Sequence, residues 1–164
     1  MLRTAKIILV FTLAVFYSLV AFNNLTDYDS NYQFVRHVLA MDTTFPGNRA
    51  MWRAINSPAL QTAFYLGIIF WELLTMLLCW WGAWRLAKGR KGSAVEFNKA
   101  KRVAIAGLTL GLAMWLLAFL SVGSEWFLMW QSKSWNGQDA AFHMFTILGI
   151  VLLLVAQPDA ERQP

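Results

Sequence analysis

Charged residues and cysteine are both scarce in this sequence. Only 14% of its 164 residues are charged, whereas 58% are hydrophobic. Soluble domains average about 25% charged and about 45–50% apolar residues, so the composition excludes an ordinary soluble domain and indicates a membrane protein. The single cysteine, Cys79, excludes an intramolecular disulfide. With only two histidines, the chain also lacks a zinc-finger or iron–sulfur ligand set.

The familiar catalytic motifs are missing as well. The sequence contains no Gly-rich phosphate loop, no Gly-x-Ser-x-Gly nucleophile elbow and no His-Glu-x-x-His metal motif. We therefore expect a protein that is not an enzyme and that carries no cofactor.

Four apolar runs are each long enough to cross a bilayer as a helix, which takes about 20 residues. They cover residues 5–22, 58–84, 103–123 and 138–156, approximately. The first run follows a basic start, as in a secretory signal, but Leu19 occupies the position where a cleavage site before Ala21 needs a small residue. We expect this run to be retained as a span. The predicted fold class is an all-α, integral membrane four-helix bundle with a single domain over residues 1–164.

Lysine and arginine are unevenly distributed between the two sides of this layout. The basic segment 85–102 and the two ends of the chain hold most of them: Arg3, Lys6, Arg85, Lys88, Arg90, Lys91, Lys99, Lys101, Arg102 and Arg162. The other side holds Arg36, Arg49, Arg53 and Lys133. The positive-inside rule then predicts a multi-pass protein of the bacterial inner (plasma) membrane, with a basic loop 85–102 and both termini in the cytoplasm. The loop reads as an anchor at the bilayer surface, and no nucleic-acid partner is expected.

The two segments on the outer side, 23–57 and 124–137, carry most of the unusual residues. In the first, Phe34, Val35, Val38 and Leu39 recur at helical spacing and predict a short amphipathic helix, capped by Asp29 or Ser30. A second short helix is predicted to start at Pro46, so that this segment covers the ends of the spans. The second segment interleaves Trp with Glu, Gln and Asn, which suits either an interfacial aromatic belt or a surface that binds a ligand or a protein. The candidate interaction residues of the two segments are Asp27, Tyr28, Arg36, His37, Asp42, Glu125, Trp126, Trp130, Gln131, Trp135, Asn136 and Gln138.

Several stretches of these segments resemble the signature sequences of a bacterial family. They are Asn23-Asn24-Leu25-Thr26-Asp27-Tyr28, the run from Phe34 to Asp42, and Met129-Trp130-Gln131-Ser132 followed by Trp135-Asn136-Gly137-Gln138. The family is that of predicted small integral membrane proteins of unknown function, and the similarity covers nearly the whole chain. The resemblance implies a four-span inner-membrane protein and brings no catalytic residues.

Glu72 is the strongest single candidate for a buried polar site. It falls about 14 residues into the second span, which at about 1.5 Å per residue places it near the bilayer midplane. A carboxylate there costs about 2.5–3.5 kcal/mol, so it should face the bundle or a partner. Three interpretations remain open: a site for a proton or a polar ligand, a hydrogen bond within the bundle, or a contact with another protein. The bundle partners considered are Thr12, Ser18, Thr109 and Trp115.

His37 and His143 could ligate a haem, as histidines do in helical cytochromes, although a capping or network role is the more usual one. Three functions follow for the whole chain. The leading hypothesis is a non-enzymatic accessory or interaction subunit of a larger membrane assembly, with the bilayer and a membrane-protein partner or a second copy as its contacts. The alternative is a small ligand-binding or proton-coupled transport module that uses Glu72. The third is a haem or quinone redox protein.

Overall fold

The computed structural model of the protein describes residues 1–161, a part of the chain that is helical and contains no strand. Arg162, one of the predicted cytoplasmic residues, lies outside the described residues. The helices are α1 (Leu2–Thr26), α2 (Tyr28–Ala40), α3 (Pro58–Gly89), α4 (Ala94–Ala113) and α5 (Gln138–Ala156). A π-helical segment (Met114–Trp126) continues α4, and single 3₁₀ turns lie at Met51–Arg53 and Met129–Gln131.

Four of these helices are long and apolar enough to cross a membrane: α1, α3, α4 together with the π-helical segment, and α5. This confirms the predicted class, a helical membrane bundle. The helices extend past the hydropathic runs from which the spans were predicted. The 32 residues of α3 measure about 48 Å at 1.5 Å per residue, which exceeds a hydrocarbon core of about 30 Å.

The basic segment 85–102, expected to be a loop, is helical except at residues 90–93. Charged residues end a hydropathic run, but they do not end a helix once it has left the hydrocarbon. The turn is set instead by a capping box at the start of α4. The Ser93 side chain accepts from the Glu96 backbone N–H, and the Glu96 carboxylate accepts from the Ser93 backbone N–H.

Helix α3 packs against both α1 and α4 and forms the centre of the bundle. Small residues let α3 and α4 approach closely. A Cβ placed on Gly82 would lie 2.6 Å from the Ala104 Cα atom, and one placed on Gly107 would lie 3.1 Å from the Cys79 backbone nitrogen. Large apolar side chains are exposed on the outside of the bundle, including Phe70 and Leu77 of α3 and Ile150 and Leu153 of α5. Outward apolar side chains of this kind are what a bilayer solvates.

Two ends of the bundle can be distinguished by their residues. The basic end comprises the turn 90–93, the start of α1 and residues 157–161, which are joined by hydrogen bonds from Arg3 to the carbonyl groups of Gly92 and Ala160. The lid end comprises residues 27–57 and 127–137. There α2 buries Val35 and Leu39 in a small core that also contains Tyr65 and Ile69 of α3.

The predicted lid helix is present, but two details of the prediction are wrong. Helix α2 begins at Tyr28 with Asp27 as its N-cap, so neither Asp29 nor Ser30 caps it. The chain bends at Asp27, where α1 ends, and α2 starts at the following residue. The second helix, predicted from Pro46, is reduced to the 3₁₀ turn Met51–Arg53. With Gly47 at a φ of +75°, this stretch turns instead of continuing as a helix.

A candidate ligand cavity at the lid end

The Glu72 side chain points into the bundle and is 3% exposed. Asn24, at the end of α1, donates a hydrogen bond from Nδ2 to Glu72 Oε2 at 2.6 Å. None of the four partners considered from the sequence makes this contact. Thr12 and Ser18 each donate to a backbone carbonyl of α1, and Trp115 donates to the Tyr17 hydroxyl group. Asn24 was missed because the hydropathic run ended before it, at Phe22, although α1 continues to Thr26.

Tyr65 extends this contact into a buried polar chain. Its hydroxyl group lies 3.0 Å from the Asn24 backbone oxygen and 3.2 Å from Asn24 Oδ1, to which it donates. The Asn24 amide thus accepts from Tyr65 and donates to Glu72. Because both neighbours are buried, the amide is held in one orientation by these bonds. Asn24 of α1 and two residues of α3, Tyr65 and Glu72, therefore form a fixed polar wall.

This polar wall borders a cavity of about 360 Å³. We call it the Glu72 cavity. Its lining comes from α1, α2, α3, the π-helical segment and the start of α5: Val20, Asn23, Asn24, Asn31, Phe34, Val35, Tyr65, Ile68, Glu72, Trp115, Phe119, Gly137 and Ala140. Glu72 is the only carboxylate in this lining, and no Lys, Arg or His accompanies it. Glu72 Oε1 accepts no hydrogen bond from any residue within 1–161, so only one of the two carboxylate oxygens has a partner there.

The π-helical segment supplies the aromatic side of the cavity through Trp115 and Phe119. Its wider turn shows in the backbone hydrogen bond from the Phe127 N–H to the Val122 carbonyl oxygen, five residues earlier. The rings of Trp115 and Phe119 lie 4.7 Å apart, and Trp115 is fixed by a 3.1 Å hydrogen bond from Nε1 to the Tyr17 hydroxyl group. π-helical turns occur frequently at functional sites, because they change the direction in which side chains point.

The lid over the cavity is held by contacts between the two segments that were predicted to be outside. The Thr43 hydroxyl group donates to Ser132 Oγ at 2.8 Å, and the Phe45 backbone N–H donates to Gln131 Oε1 at 3.1 Å. His37 lies 2.8 Å from Asp42 Oδ2, and its ring stacks on Trp135 at 4.6 Å between centroids. Three of the predicted interaction residues, His37, Gln131 and Trp135, therefore join the two segments, and Asp42 holds His37 from within the first segment.

The other predicted interaction residues lie around the lid and do not converge on one point. Tyr28 packs edge-on against Tyr65 at 4.8 Å, and Asn136 Oδ1 accepts from the Gln138 backbone N–H at the start of α5. Arg36 donates to Gln33 on its own helix. The remaining members, Asp27, Glu125, Trp126 and Trp130, are exposed.

The two histidines have different surroundings. His37 is engaged by Asp42 and Trp135, whereas His143 is exposed on α5 and does not line the Glu72 cavity. Within residues 1–161, no group of three or more His, Cys, Asp or Glu side chains is close enough to hold a metal ion.

At the basic end, one carboxylate gathers three cations. Lys6 Nζ lies 2.7 Å from Asp159 Oδ2, Lys101 also binds this oxygen, and Arg3 Nε lies 3.9 Å from Oδ1. Burial alone would raise the pKa of the Asp159 carboxyl group, but the hydrogen bonds from Lys101 and Lys6 outweigh it and hold the pKa below its ordinary value. The sequence indicated only that Arg3 and Lys6 face the cytoplasm. The sequence pattern did not indicate that Arg3 and Lys6 fasten residues 157–161 to the bundle.

The apolar outer faces, the four spanning helices and the buried polar wall together define a helical integral membrane protein. A family profile matches residues 2–158, and its description is predicted small integral membrane protein (DUF2165). The chain belongs to this family, which confirms the resemblance. We found no matching curated protein and no matching solved structure.

Proposed function

We propose that this protein is a non-enzymatic, ligand-binding membrane protein that takes a small molecule with a polar group into the Glu72 cavity. The observation that carries the proposal is that only one of the two Glu72 carboxylate oxygens has a hydrogen-bond partner. One oxygen of Glu72 accepts from Asn24, the other accepts no hydrogen bond from residues 1–161, and the residue lines a cavity of about 360 Å³. A mostly apolar cavity with a few fixed polar groups is the usual form of a small-molecule site.

The energetic cost of Glu72 supports a role beyond packing. A carboxylate in a span costs about 2.5–3.5 kcal/mol, and a glutamine could accept the same hydrogen bond from Asn24 without a charge. The hydrogen bond from Asn24 also bears on the hypothesis that Glu72 contacts another protein. Because Asn24 belongs to the same chain, one oxygen of Glu72 has a partner without a second protein.

The test is to extract the protein in native lipid nanodiscs and to identify the bound small molecules by mass spectrometry. We expect one compound to accompany the wild-type protein and to be lost in Glu72→Gln. The matched control is Glu125→Gln, which removes the same charge from an exposed side chain outside the cavity lining. Equal compounds in all three preparations would rule out the Glu72 cavity as the binding site.

A role as an accessory subunit in the bacterial inner membrane is the second proposal. It is supported by an aromatic patch at the lid end. Arg53 lies against the rings of Trp52 and Trp126, at 5.3 and 4.7 Å, and both rings are exposed. Exposed Trp and Arg side chains are enriched in protein interfaces. The same nanodisc preparation tests this role. A stoichiometric membrane protein that is lost on Trp52→Ala and Trp126→Ala substitution would support it, and its absence from the wild-type preparation would remove it.

A further inference from the structure

A second, apolar depression adjoins the Glu72 cavity on the surface of the bundle. It is a groove of about 480 Å³ between α3 and the π-helical segment. We call it the α3 groove. Its lining is apolar throughout: Leu60, Ala63, Phe64, Gly67, Ile68, Trp71, Leu117, Ala118 and Val122.

The cavity and the groove share their walls. A narrow space of about 50 Å³ lies between them, and Ile68 lines all three. Phe34, Val35 and Phe119 line both the cavity and the narrow space, whereas Ala118 lines the narrow space and the groove. Ile68 and the narrow space therefore mark the place where the Glu72 cavity and the outer apolar face come closest.

The charge and the rings of the cavity indicate which polar group fits there. Its only carboxylate is Glu72, it has no basic residue, and the rings of Phe34, Tyr65, Trp115 and Phe119 form part of its wall. A carboxylate beside aromatic rings attracts an organic ammonium group, through charge and through cation–π contacts. An anionic group, in contrast, would meet Glu72 without any cation to offset it.

We infer that the ligand is a cationic amphiphile, with its ammonium group in the Glu72 cavity and its hydrocarbon chain in the α3 groove. This inference rests on the proposed function, because it names the class of ligand for the same site. The groove would then admit the chain sideways from the bilayer, where such molecules partition.

Gly67 offers a test that leaves the bundle intact. A Cβ placed on Gly67 has no heavy atom within 4 Å, so the position opens onto free space in the groove. Gly67→Phe should occupy the groove, whereas the control Gly67→Ala changes the backbone preference in the same direction and leaves most of the groove open. Gly67→Ala should melt at or above the wild-type temperature, since its Cβ meets no neighbouring atom, and the melting temperature of Gly67→Phe is measured beside it as the check that the larger variant is folded.

The probes are dodecyltrimethylammonium, tetramethylammonium and dodecyl sulfate, titrated by calorimetry into protein nanodiscs with the heats of empty nanodiscs subtracted. We expect saturable binding of dodecyltrimethylammonium, at least about tenfold tighter than of dodecyl sulfate, and a loss of about tenfold in Glu72→Gln. Gly67→Phe should reduce the affinity for dodecyltrimethylammonium to that for tetramethylammonium, with Gly67→Ala close to wild type.

The outcomes separate this inference from the proposed function. If dodecyl sulfate binds as tightly as dodecyltrimethylammonium, the ammonium class is wrong. If Gly67→Phe binds dodecyltrimethylammonium like wild type, the groove does not hold the chain. In either case a native compound that is lost in Glu72→Gln would still support the proposed function. If no probe binds and no native compound depends on Glu72, both proposals fail.

Discussion

Asn24 determines how much of Glu72 remains available to a ligand. Its amide donates to one carboxylate oxygen and accepts from Tyr65, and all three side chains are buried. A buried carboxylate that loses a hydrogen-bond donor keeps the whole cost of its desolvation. The amide therefore lowers the cost of retaining an acid inside the bundle, and it does so without introducing a positive charge that would neutralise the acid.

Replacement of Asn24 should therefore destabilise the protein. We expect Asn24→Leu to lower the free energy of unfolding by about 1–3 kcal/mol, because Glu72 and Tyr65 both lose a partner, and Tyr65→Phe to cost about 0.5–1.5 kcal/mol. Thermal unfolding in nanodiscs measures both. Asn23→Leu is the control, since Asn23 is an exposed amide on the same turn of α1. Equal stability of Asn24→Leu and Asn23→Leu would contradict the polar chain.

Close approach of α3 and α4 depends on Gly82. A Cβ at this position would lie 2.6–2.8 Å from three atoms of Ala104, two of them in the backbone. Backbone atoms cannot rotate away as a side chain can, so the two helices would have to separate. The apolar contacts along the whole pair would then loosen.

The same substitution at two positions of α3 should thus have opposite effects. Gly82→Ala is expected to destabilise the protein by about 1–3 kcal/mol, as overpacking does in other cores. Gly67→Ala meets no atom within 4 Å and should stabilise α3 by up to about 1 kcal/mol, because alanine prefers the helix over glycine. Melting temperatures of the two variants, taken in the same nanodiscs, give the comparison. A stabilised Gly82→Ala would show that the helices are not as close as described.

Hydropathy allowed the four spans and the amphipathic α2 to be predicted, because each depends on which side chains avoid water. It did not show where helices end. Leaving the hydrocarbon stops a hydropathic run, whereas a helix ends only where a cap or turn ends it, as at Ser93 and Asp27. The pattern Ser93-x-x-Glu96 is a capping-box signature, so this helix start is one that the sequence can indicate. The Asn24–Glu72 contact was not readable, because it depends on how α1 and α3 are rotated against each other.

Across the whole molecule, Asp159 fastens the end of the described chain to α1 and α4. Three cations converge on this carboxylate. If the carboxylate is removed, the cations keep only backbone and amide oxygens as partners. If one cation is removed, the carboxylate keeps the other two cations. Breaking a buried ion pair costs about 3–5 kcal/mol. We expect Asp159→Asn to lower the free energy of unfolding by about this amount, and Arg3→Gln, whose contact to Asp159 is the longest of the three, to cost less.

The pH dependence follows from the lowered pKa of Asp159. A carboxyl group whose pKa is lower in the folded state stabilises the protein above its unfolded pKa, ordinarily 3.8, and this stabilisation is lost as the pH falls through the folded value. The difference in melting temperature between wild type and Asp159→Asn should therefore be constant from pH 7 to about 5 and shrink below about pH 4. Asp139→Asn, an exposed acid at the start of α5, is the control. A difference that persists unchanged to pH 2 would show that Asp159 acts through something other than its charge.

The orientation of the molecule in the membrane follows from which end is basic. The turn 90–93 and the start of α1 lie together, so an excess of Lys and Arg at that end should hold it in the cytoplasm and leave the lid end outside. Cys79 is buried, so single cysteines can be introduced without replacing it. In intact cells a membrane-impermeant maleimide should label Ser134→Cys, and Lys91→Cys should be labelled only after the membrane is opened. The reverse result would place the Glu72 cavity toward the cytoplasm, and its ligand would then have to come from inside the cell.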